Sequence, residues 1–204
     1  MIIVKVLSII LAGIIGYLLG SANSSMIVGK IYGIDIREHG SGNAGTTNVL
    51  RVLGKKAALF VLIGDFAKGV AAYWLGFALA GNVGAMAGGT AAILGHNWPV
   101  YFKFRGGRGV LTSLAVVLMM DWKVALTALG VFVIIVAATR YVSLGSMIAA
   151  AFLPISAIVY NRGIELILFT FVIGLLIIVM HRQNFIRITK GTESKLGKSK
   201  AVLK

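Results

Sequence analysis

The feature that most constrains this chain is a series of long apolar runs with very few charged side chains inside them. A helix needs about 20 apolar residues to cross the roughly 30 Å hydrocarbon core of a bilayer. Charged residues make up 13% of the 204-residue chain, about half the share of a soluble domain. The sequence therefore predicts an all-α polytopic membrane protein with about seven transmembrane helices. Their approximate bounds are 2–27, 57–80, 83–102, 110–120, 124–139, 142–160 and 164–180.

The bounds of several runs need interpretation. Residues 1–22 have features of a signal peptide, but the apolar run is long, which favours a retained first span. Gly81 and Asn82 predict a tight turn between the second and third spans. Residues 110–120 reach only about 17 Å as a helix, roughly half the hydrocarbon thickness. We interpret residues 1–195 as one transmembrane bundle and residues 196–204 as a basic, disordered tail.

The formal net charge of +14 would suggest nucleic acid binding in a soluble protein. In a membrane protein it has another explanation, because Lys and Arg accumulate in cytoplasmic loops. This pattern predicts a cytoplasmic C-terminus and an external N-terminus, with no nucleic acid partner. The basic segments assigned to the cytoplasmic side are 29–56, 103–108, Arg140 and 182–204. The other side carries Lys5, Lys123 and Arg162.

The sequence lacks the residues or motifs that several common kinds of catalysis require. The chain has no cysteine, which excludes disulfides and thiol nucleophiles. The three histidines show neither the HExxH spacing of zinc hydrolases nor the His-x4-Asp spacing of soluble acyltransferases. A GxSxG nucleophile elbow and a Walker loop are also missing from the sequence. An enzyme with this sequence is therefore expected to use an activated substrate and to act by positioning and charge.

The polar stretch "SGNAGTTN" lies between the first two spans. Glycines allow successive backbone N–H groups to point into one concavity, and hydroxyl and amide side chains add neutral donors. Such a nest suits a phosphate, especially if Thr46 or Thr47 begins a helix. The alternative is a plain flexible loop, and composition alone leaves the two about even. The candidate ligands are Ser41, Gly42, Asn43, Gly45, Thr46, Thr47 and Asn48.

A second polar stretch, "GHNWPVYFKFRGGRG", covers residues 95–109. Arg105 and Arg108 flank Gly106 and Gly107, so two cations and two backbone amides could grip an anion. Positive-inside topology is the alternative explanation of the charges. For Arg108 we favour an anion-binding role, because topology alone does not require the glycines.

A third stretch follows the last span. His181, Asn184 and Arg187 recur every three residues, so they share one face if the helix continues. The alternative is a membrane helix end whose long side chains reach the interface, which explains Arg182 well and Asn184 poorly.

One ionisable pair falls inside the second span. Asp65 and Lys68 are spaced i, i+3, and charged groups at that depth usually face the bundle interior or a cavity. They either neutralise each other, or Lys68 reaches a bound anion while Asp65 holds it in place.

These stretches resemble the signatures of one family, the bacterial acyl-phosphate–glycerol-3-phosphate acyltransferases of the PlsY type. Residues 41–48 resemble "SGNxGxTN", and residues 64–69 contain its "DxxKG". Residues 95–109 resemble "GHxxPxxxxFxGGxG", and residues 181–187 resemble "HRxNxxR", with Gly191 and Glu193 after it. The motifs follow in order over almost the whole chain. One position departs, because Arg108 stands where the family usually has Lys, and Arg has a different hydrogen-bonding geometry.

The resemblance implies a multi-pass enzyme of the bacterial inner membrane, with its active site facing the cytoplasm and no metal or other cofactor. Its two substrates would be acyl-phosphate and glycerol 3-phosphate, and membrane lipid would surround it. Its products would be lysophosphatidic acid and phosphate. The alternatives are a small organophosphate or anion carrier, which would want the same basic lining, and a structural membrane subunit.

We expect distinct roles for the residues in these stretches. The expected catalytic residues are Ser41, Arg108, His181 and Asn184. Phosphate binding is expected of residues 41–43 and 45–48, of Arg51 and Lys68, of Gly106, Gly107 and Arg108, and of His181, Asn184 and Arg187. The expected supporting residues are Asp65, His96 and Glu193.

Overall fold

The computed structural model describes residues 2–197, and within them the chain is helical without a β-strand. The described residues divide into two compact units, residues 2–116 and residues 117–197. The single bundle predicted over residues 1–195 stays a prediction, and most of the predicted disordered tail lies outside the described residues. The α-helices are α1 (Ile2–Ser21), α2 (Ser24–Ile31), α3 (Thr46–Val52), α4 (Gly54–Asn97), α5 (Val110–Met120), α6 (Trp122–Thr139), α7 (Val142–Val159), α8 (Ile164–Met180) and α9 (Arg182–Thr189).

Helix α4 is a hairpin of two arms rather than one rod. Its 44 residues are interrupted at Ala80 and at Gly81, whose φ of 62° and ψ of −149° are non-helical. Only glycine adopts such a conformation readily. A Cβ added at Gly76 would collide with the backbone of Gly84, so the arms pack antiparallel at very short range. The predicted turn at residues 81–82 is confirmed.

Helix α1 packs on the second arm of α4 through glycines. A Cβ added at Gly16 would collide with the backbone of Gly88, and one added at Gly20 would collide with Ala92. Both positions advance by four residues, so the two helices run parallel. Small residues let helix backbones approach closely in lipid, where packing rather than hydrophobic burial holds helices together. The glycines at this contact therefore serve close helix packing.

In the second unit, helices α6, α7 and α8 pack in chain order. Asp121 caps α6 by accepting a hydrogen bond from the N–H of Val124 at 3.0 Å. The same carboxylate pairs with Arg162 Nε at 2.6 Å. Helix α9 leaves α8 at a bend of 54°. The predicted helical extension therefore exists as α9, but it is bent at His181 instead of continuing α8 in a straight line.

Four helical segments of the described chain are long and apolar enough to cross a membrane, and α8 with α9 makes a fifth if the bent pair is one span. One of the four is residues 54–102, which contains the α4 hairpin. Helix α5 is apolar but short, as the sequence indicated. The all-helical membrane fold is confirmed, whereas the count of seven spans and their orientation stay predictions.

Candidate functional site

The loop that contains residues 39–45 is held from inside by one side chain. Asn48 is 1% exposed. Its Oδ1 accepts a hydrogen bond from the N–H of Ser41 at 2.8 Å. Its Nδ2 donates to the carbonyl oxygens of Ile36 at 3.1 Å and His39 at 2.9 Å. Asn48 therefore shapes the loop. Its amide group donates both of its hydrogens to carbonyl oxygens of the loop, so they are not available for the phosphate contact that the sequence suggested.

The residues around Asn48 show some of the features predicted for an anion nest. Helix α3 begins at Thr46, which is the arrangement that favoured a nest over a plain loop. Gly40 has a φ of 62°, and a Cβ there would collide with Asn48 Oδ1, so the buried amide requires glycine at this position. The remaining candidates are half-buried rather than freely exposed. They are Ser41, Asn43, Gly45, Thr46, Thr47 and Arg51, with Gly42 exposed.

The glycine pair of the second stretch packs against the end of α4. The N–H of Gly106 donates to the carbonyl oxygen of Asn97 at 3.1 Å, and that of Gly107 donates to His96 at 3.0 Å. A Cβ at Gly107 would collide with the His96 ring and approach the carbonyl oxygen of Ala44. These glycines therefore permit close packing between the two loops. Their N–H groups are engaged within the protein, and the anion-binding role of the half-buried Arg108 stays a prediction.

The predicted ionisable pair is a buried cluster of three side chains. Lys68 Nζ lies 2.8 Å from Asp65 Oδ1 and 2.9 Å from His96 Nδ1. Because the ammonium can only donate, Nδ1 of His96 accepts. Thr112 adds a hydrogen bond from its hydroxyl to the backbone carbonyl of Asp65 at 3.2 Å. The cluster fits the neutralisation reading and the supporting roles expected of Asp65 and His96. The anion-binding role of Lys68 stays a prediction.

A clasp between Asp35 and Arg37 joins the two loops of the first unit, and the sequence reasoning missed it. Arg37 Nη2 lies 2.7 Å from Asp35 Oδ2. Arg37 Nη1 donates to the carbonyl oxygens of Phe102 at 3.0 Å and Arg105 at 3.3 Å. The side-chain hydrogen bond from Arg37 holds the pKa of Asp35 below its ordinary value. The Asp-x-Arg spacing in the sequence was the available signal.

Glu193 is the centre of a hydrogen-bond network in the second unit. Its Oε1 accepts from Ser143 Oγ and Asn184 Nδ2, each at 2.7 Å. Its Oε2 accepts from Arg187 Nε at 2.7 Å. Burial raises the pKa of Glu193, but the hydrogen bonds from Arg187, Asn184 and Ser143 outweigh it, so the pKa lies below its ordinary value. This geometry agrees with a supporting role for Glu193. Ser143 was missed, because it lies 50 residues away in sequence.

His181 is 2% exposed and lies at the bend between α8 and α9. Its Nδ1 is 2.8 Å from the carbonyl oxygen of Ile177. A carbonyl oxygen only accepts, so Nδ1 carries the proton. In the neutral ring Nε2 is then the basic nitrogen. The fifth residue after His181 is Ile186 and not an acid. The carbonyl oxygen of Ile177 orients the ring through Nδ1.

Two further observations concern residues 2–197. Asn97 is 2% exposed, and neither polar atom of its amide has a hydrogen-bond partner in this part of the chain. The residue lies beside His96 in the second stretch, although it was not among the expected ligands. No three His, Asp or Glu side chains in the same range lie close enough together to hold a metal ion.

The structure thus assembles the predicted residues into two sets. Residues 41–51, 65–68 and 96–108 meet within the first unit. Residues 181–193 meet within the second unit. Helices of membrane-spanning character that carry such polar and cationic loops define a polytopic α-helical membrane protein with anion-binding potential.

The chain belongs to the glycerol-3-phosphate acyltransferase family, whose model matches residues 10–191. The glycerol-3-phosphate acyltransferase of Thermoanaerobacter sp. (strain X514) is 47% identical over 190 residues, which cover 92% of this chain and 96% of the relative. That of Shouchella clausii (strain KSM-K16) is 47% identical over 205 residues, which cover 96% of this chain and 100% of the relative. The family predicted from the motifs is confirmed.

A solved relative has the same fold. The crystal structure of PlsY, an integral membrane glycerol 3-phosphate acyltransferase, in its glycerol 3-phosphate form matches with a TM-score of 0.88 at 38% identity. The match covers 93% of this chain and 96% of that chain. The lysophosphatidic acid form of PlsY matches with a TM-score of 0.86 over the same shares of the two chains.

Proposed function

We propose that this protein transfers a fatty acyl group from acyl-phosphate to the 1-hydroxyl of glycerol 3-phosphate. The products are lysophosphatidic acid and inorganic phosphate. The protein works in the bacterial inner membrane with its active site facing the cytoplasm, and no acylated enzyme forms during turnover.

One observation supports the proposed acceptor and the proposed product. The solved relative at 38% identity has a glycerol 3-phosphate form and a lysophosphatidic acid form. These two molecules differ by one fatty acyl group on a hydroxyl. An enzyme of this family therefore needs an acyl donor whose leaving group departs readily.

The residues favour acyl-phosphate as that donor. The chain has no cysteine and no serine in a nucleophile elbow, so an acyl-enzyme step lacks its usual nucleophiles. A mixed anhydride of a fatty acid and phosphate is already activated. Its leaving group is an anion, which cations and aligned donors stabilise as charge develops.

The roles follow the two sets of residues. The loop of residues 41–47, which Asn48 holds in shape, and Arg108 bind the head of acyl-phosphate and stabilise the departing phosphate. His181, Asn184 and Arg187 orient glycerol 3-phosphate, and Arg51 contributes a phosphate contact in the first unit. The Glu193 network supports this assignment, because it fixes the Asn184 and Arg187 side chains before substrate binds. Orientation of two bound reactants supplies about 7 to 11 kcal/mol of a barrier at best.

The acyl transfer is a single substitution at the carbonyl carbon of the donor. The hydroxyl oxygen of glycerol 3-phosphate forms the new C–O bond, and the C–O bond to the donor phosphate breaks. The hydroxyl proton passes to a phosphate oxygen of the donor, so the leaving group departs as hydrogen phosphate. Nε2 of His181 is the alternative proton acceptor, because Nδ1 carries its proton toward the carbonyl oxygen of Ile177.

The decisive experiment uses purified protein in detergent with synthetic acyl-phosphate and glycerol 3-phosphate. We expect released phosphate and lysophosphatidic acid in equal amounts, and far less phosphate without the acceptor. A carrier would instead move phosphate across vesicles without consuming acyl-phosphate. If turnover is stopped by denaturation and a fatty acyl group is found ester-linked to the protein, direct transfer is contradicted.

A further inference from the structure

The first unit contains a cleft whose lining includes none of the residues expected to bind or support the substrates. Its volume is about 430 Å³. The cleft lies where the segment after α2 meets the turn at residues 100–103. Its lining includes Met26, Lys30, Ile34, Tyr101, Phe102 and Lys103.

The cleft lies where two membrane-crossing segments end on the same side. The apolar segments 2–31 and 54–102 both end at its lining. Helix α1 runs parallel to the second arm of α4, and the Tyr17 hydroxyl donates to the carbonyl oxygen of Trp98 at 2.8 Å. The cleft therefore opens at the level where the hydrocarbon core gives way to headgroups.

Aromatic side chains around the cleft support this depth. Tyr32, Trp98, Tyr101 and Phe104 are between 39% and 57% exposed. Aromatic residues are enriched at the two membrane–water interfaces, where their rings sit among the headgroups. A ligand bound in this cleft is therefore surrounded by lipid headgroups.

The charge of the cleft comes from two lysines. Arg37 also lines it, but its guanidinium is engaged by Asp35 and by carbonyl oxygens, so it acts as a wall. Lys30 and Lys103 are exposed and form no ion pair within residues 2–197. Lys30 Nζ lies 5.1 Å from the centre of the Phe102 ring. Lys30 thus stands over the Phe102 ring, and Lys103 adds a second cation to a lining that includes Met26 and Ile34.

We propose that this cleft binds the headgroup phosphate of an anionic phospholipid from the surrounding leaflet. Lys30 and Lys103 contact the phosphate, and the glycerol and first methylenes pack on the apolar residues of the lining. The volume lies within the range of small-molecule sites, and basic pockets at this depth recognise anionic lipid headgroups. The inference does not rest on the proposed acyl transfer, because the lining shares no residue with that site.

The test measures binding of spin-labelled phosphatidylglycerol to the full-length protein in phosphatidylcholine vesicles. The cleft variant is Lys30→Gln with Lys103→Asn, because Lys103 has a φ of 56° and Asn tolerates that region. The matched control is Lys55→Gln with Lys56→Gln, which removes two exposed cations near the start of α4. Each cation near anionic lipid contributes about fivefold in affinity, so we expect roughly 25-fold weaker binding by the cleft variant.

The control is expected to bind like the unchanged protein. Equal weakening in both double variants would overturn the proposal, because only general surface charge would then attract the lipid. Inorganic phosphate is a second probe, and an excess of it should leave lipid binding unchanged. If it displaces the lipid from the unchanged protein, the site belongs to a soluble phosphate and the lipid assignment fails. Lys30→Gln alone, with about fivefold weaker binding expected, repeats the test if the double variant unfolds.

Discussion

The ammonium of Lys68 lies 2.8 Å from the carboxylate of Asp65, one helical turn earlier, and both side chains are more than nine-tenths buried. Removing one partner of such a pair leaves an unpaired charge in a medium that solvates it poorly. The pair therefore constrains how α4 packs in the first unit.

Asp65→Asn should destabilise the protein by about 3–5 kcal/mol, because it leaves the Lys68 charge buried without a counter-ion. Thermal unfolding in detergent measures the loss. The double variant Asp65→Asn with Lys68→Met should recover part of it, since no lone ion is left. A single variant as stable as the unchanged protein would show that Lys68 is neutral in the folded state.

The contact between α1 and the second arm of α4 predicts a clear difference between two glycines. Gly16→Ala should cost about 1–3 kcal/mol through overpacking, because its Cβ would collide with the Gly88 carbonyl. Gly13 is the matched control, since nothing lies within 4 Å of a Cβ there. Gly13→Ala should stabilise by roughly 0.5–1 kcal/mol through helix propensity. Equal unfolding temperatures for the two variants would contradict the packing.

The Glu193 network predicts acid sensitivity. The folded pKa of Glu193 lies below its ordinary value of 4.5. Its contribution to stability is therefore complete above that value and is lost as pH falls through the folded pKa. Unfolding temperatures measured on descending pH should fall less steeply for Glu193→Gln than for the unchanged protein. Glu165→Gln, at an exposed position near the start of α8, should leave the slope unchanged.

His181→Ala separates the two candidate proton acceptors. If the donor phosphate takes the proton, the variant should keep measurable turnover, with a loss smaller than the roughly 10²–10⁴-fold that removal of a general base costs. The measurement is kcat across a pH series, together with glycerol 3-phosphate binding. Complete loss at every pH with intact binding would instead make Nε2 of His181 the general base.

Arg108→Ala should raise the apparent KM for acyl-phosphate, because a charge-assisted contact to phosphate is worth about 1.5–3 kcal/mol. This corresponds to roughly 10- to 150-fold at 1.4 kcal/mol per tenfold. Arg108→Lys should retain part of the binding, since the charge stays and the planar geometry is lost. Arg105→Ala, three residues earlier and exposed, is the control with unchanged kinetics. Unchanged kinetics in Arg108→Ala would reduce the basic turn to a topological signal.

The sequence by itself determined the helical membrane class, the turn at Gly81 and the family. These properties depend on local information, namely the length of apolar runs, the conformational freedom of glycine and motifs of fixed spacing.

Only the tertiary structure decided how the polar residues are used. It committed Asn48 to the loop interior, engaged the amides of Gly106 and Gly107 with carbonyl groups, and brought Ser143 to Glu193. These outcomes depend on which donor meets which acceptor across tens of residues. Since a buried polar group must find a partner wherever the fold provides one, composition names the candidates and the packing of the helices assigns their partners.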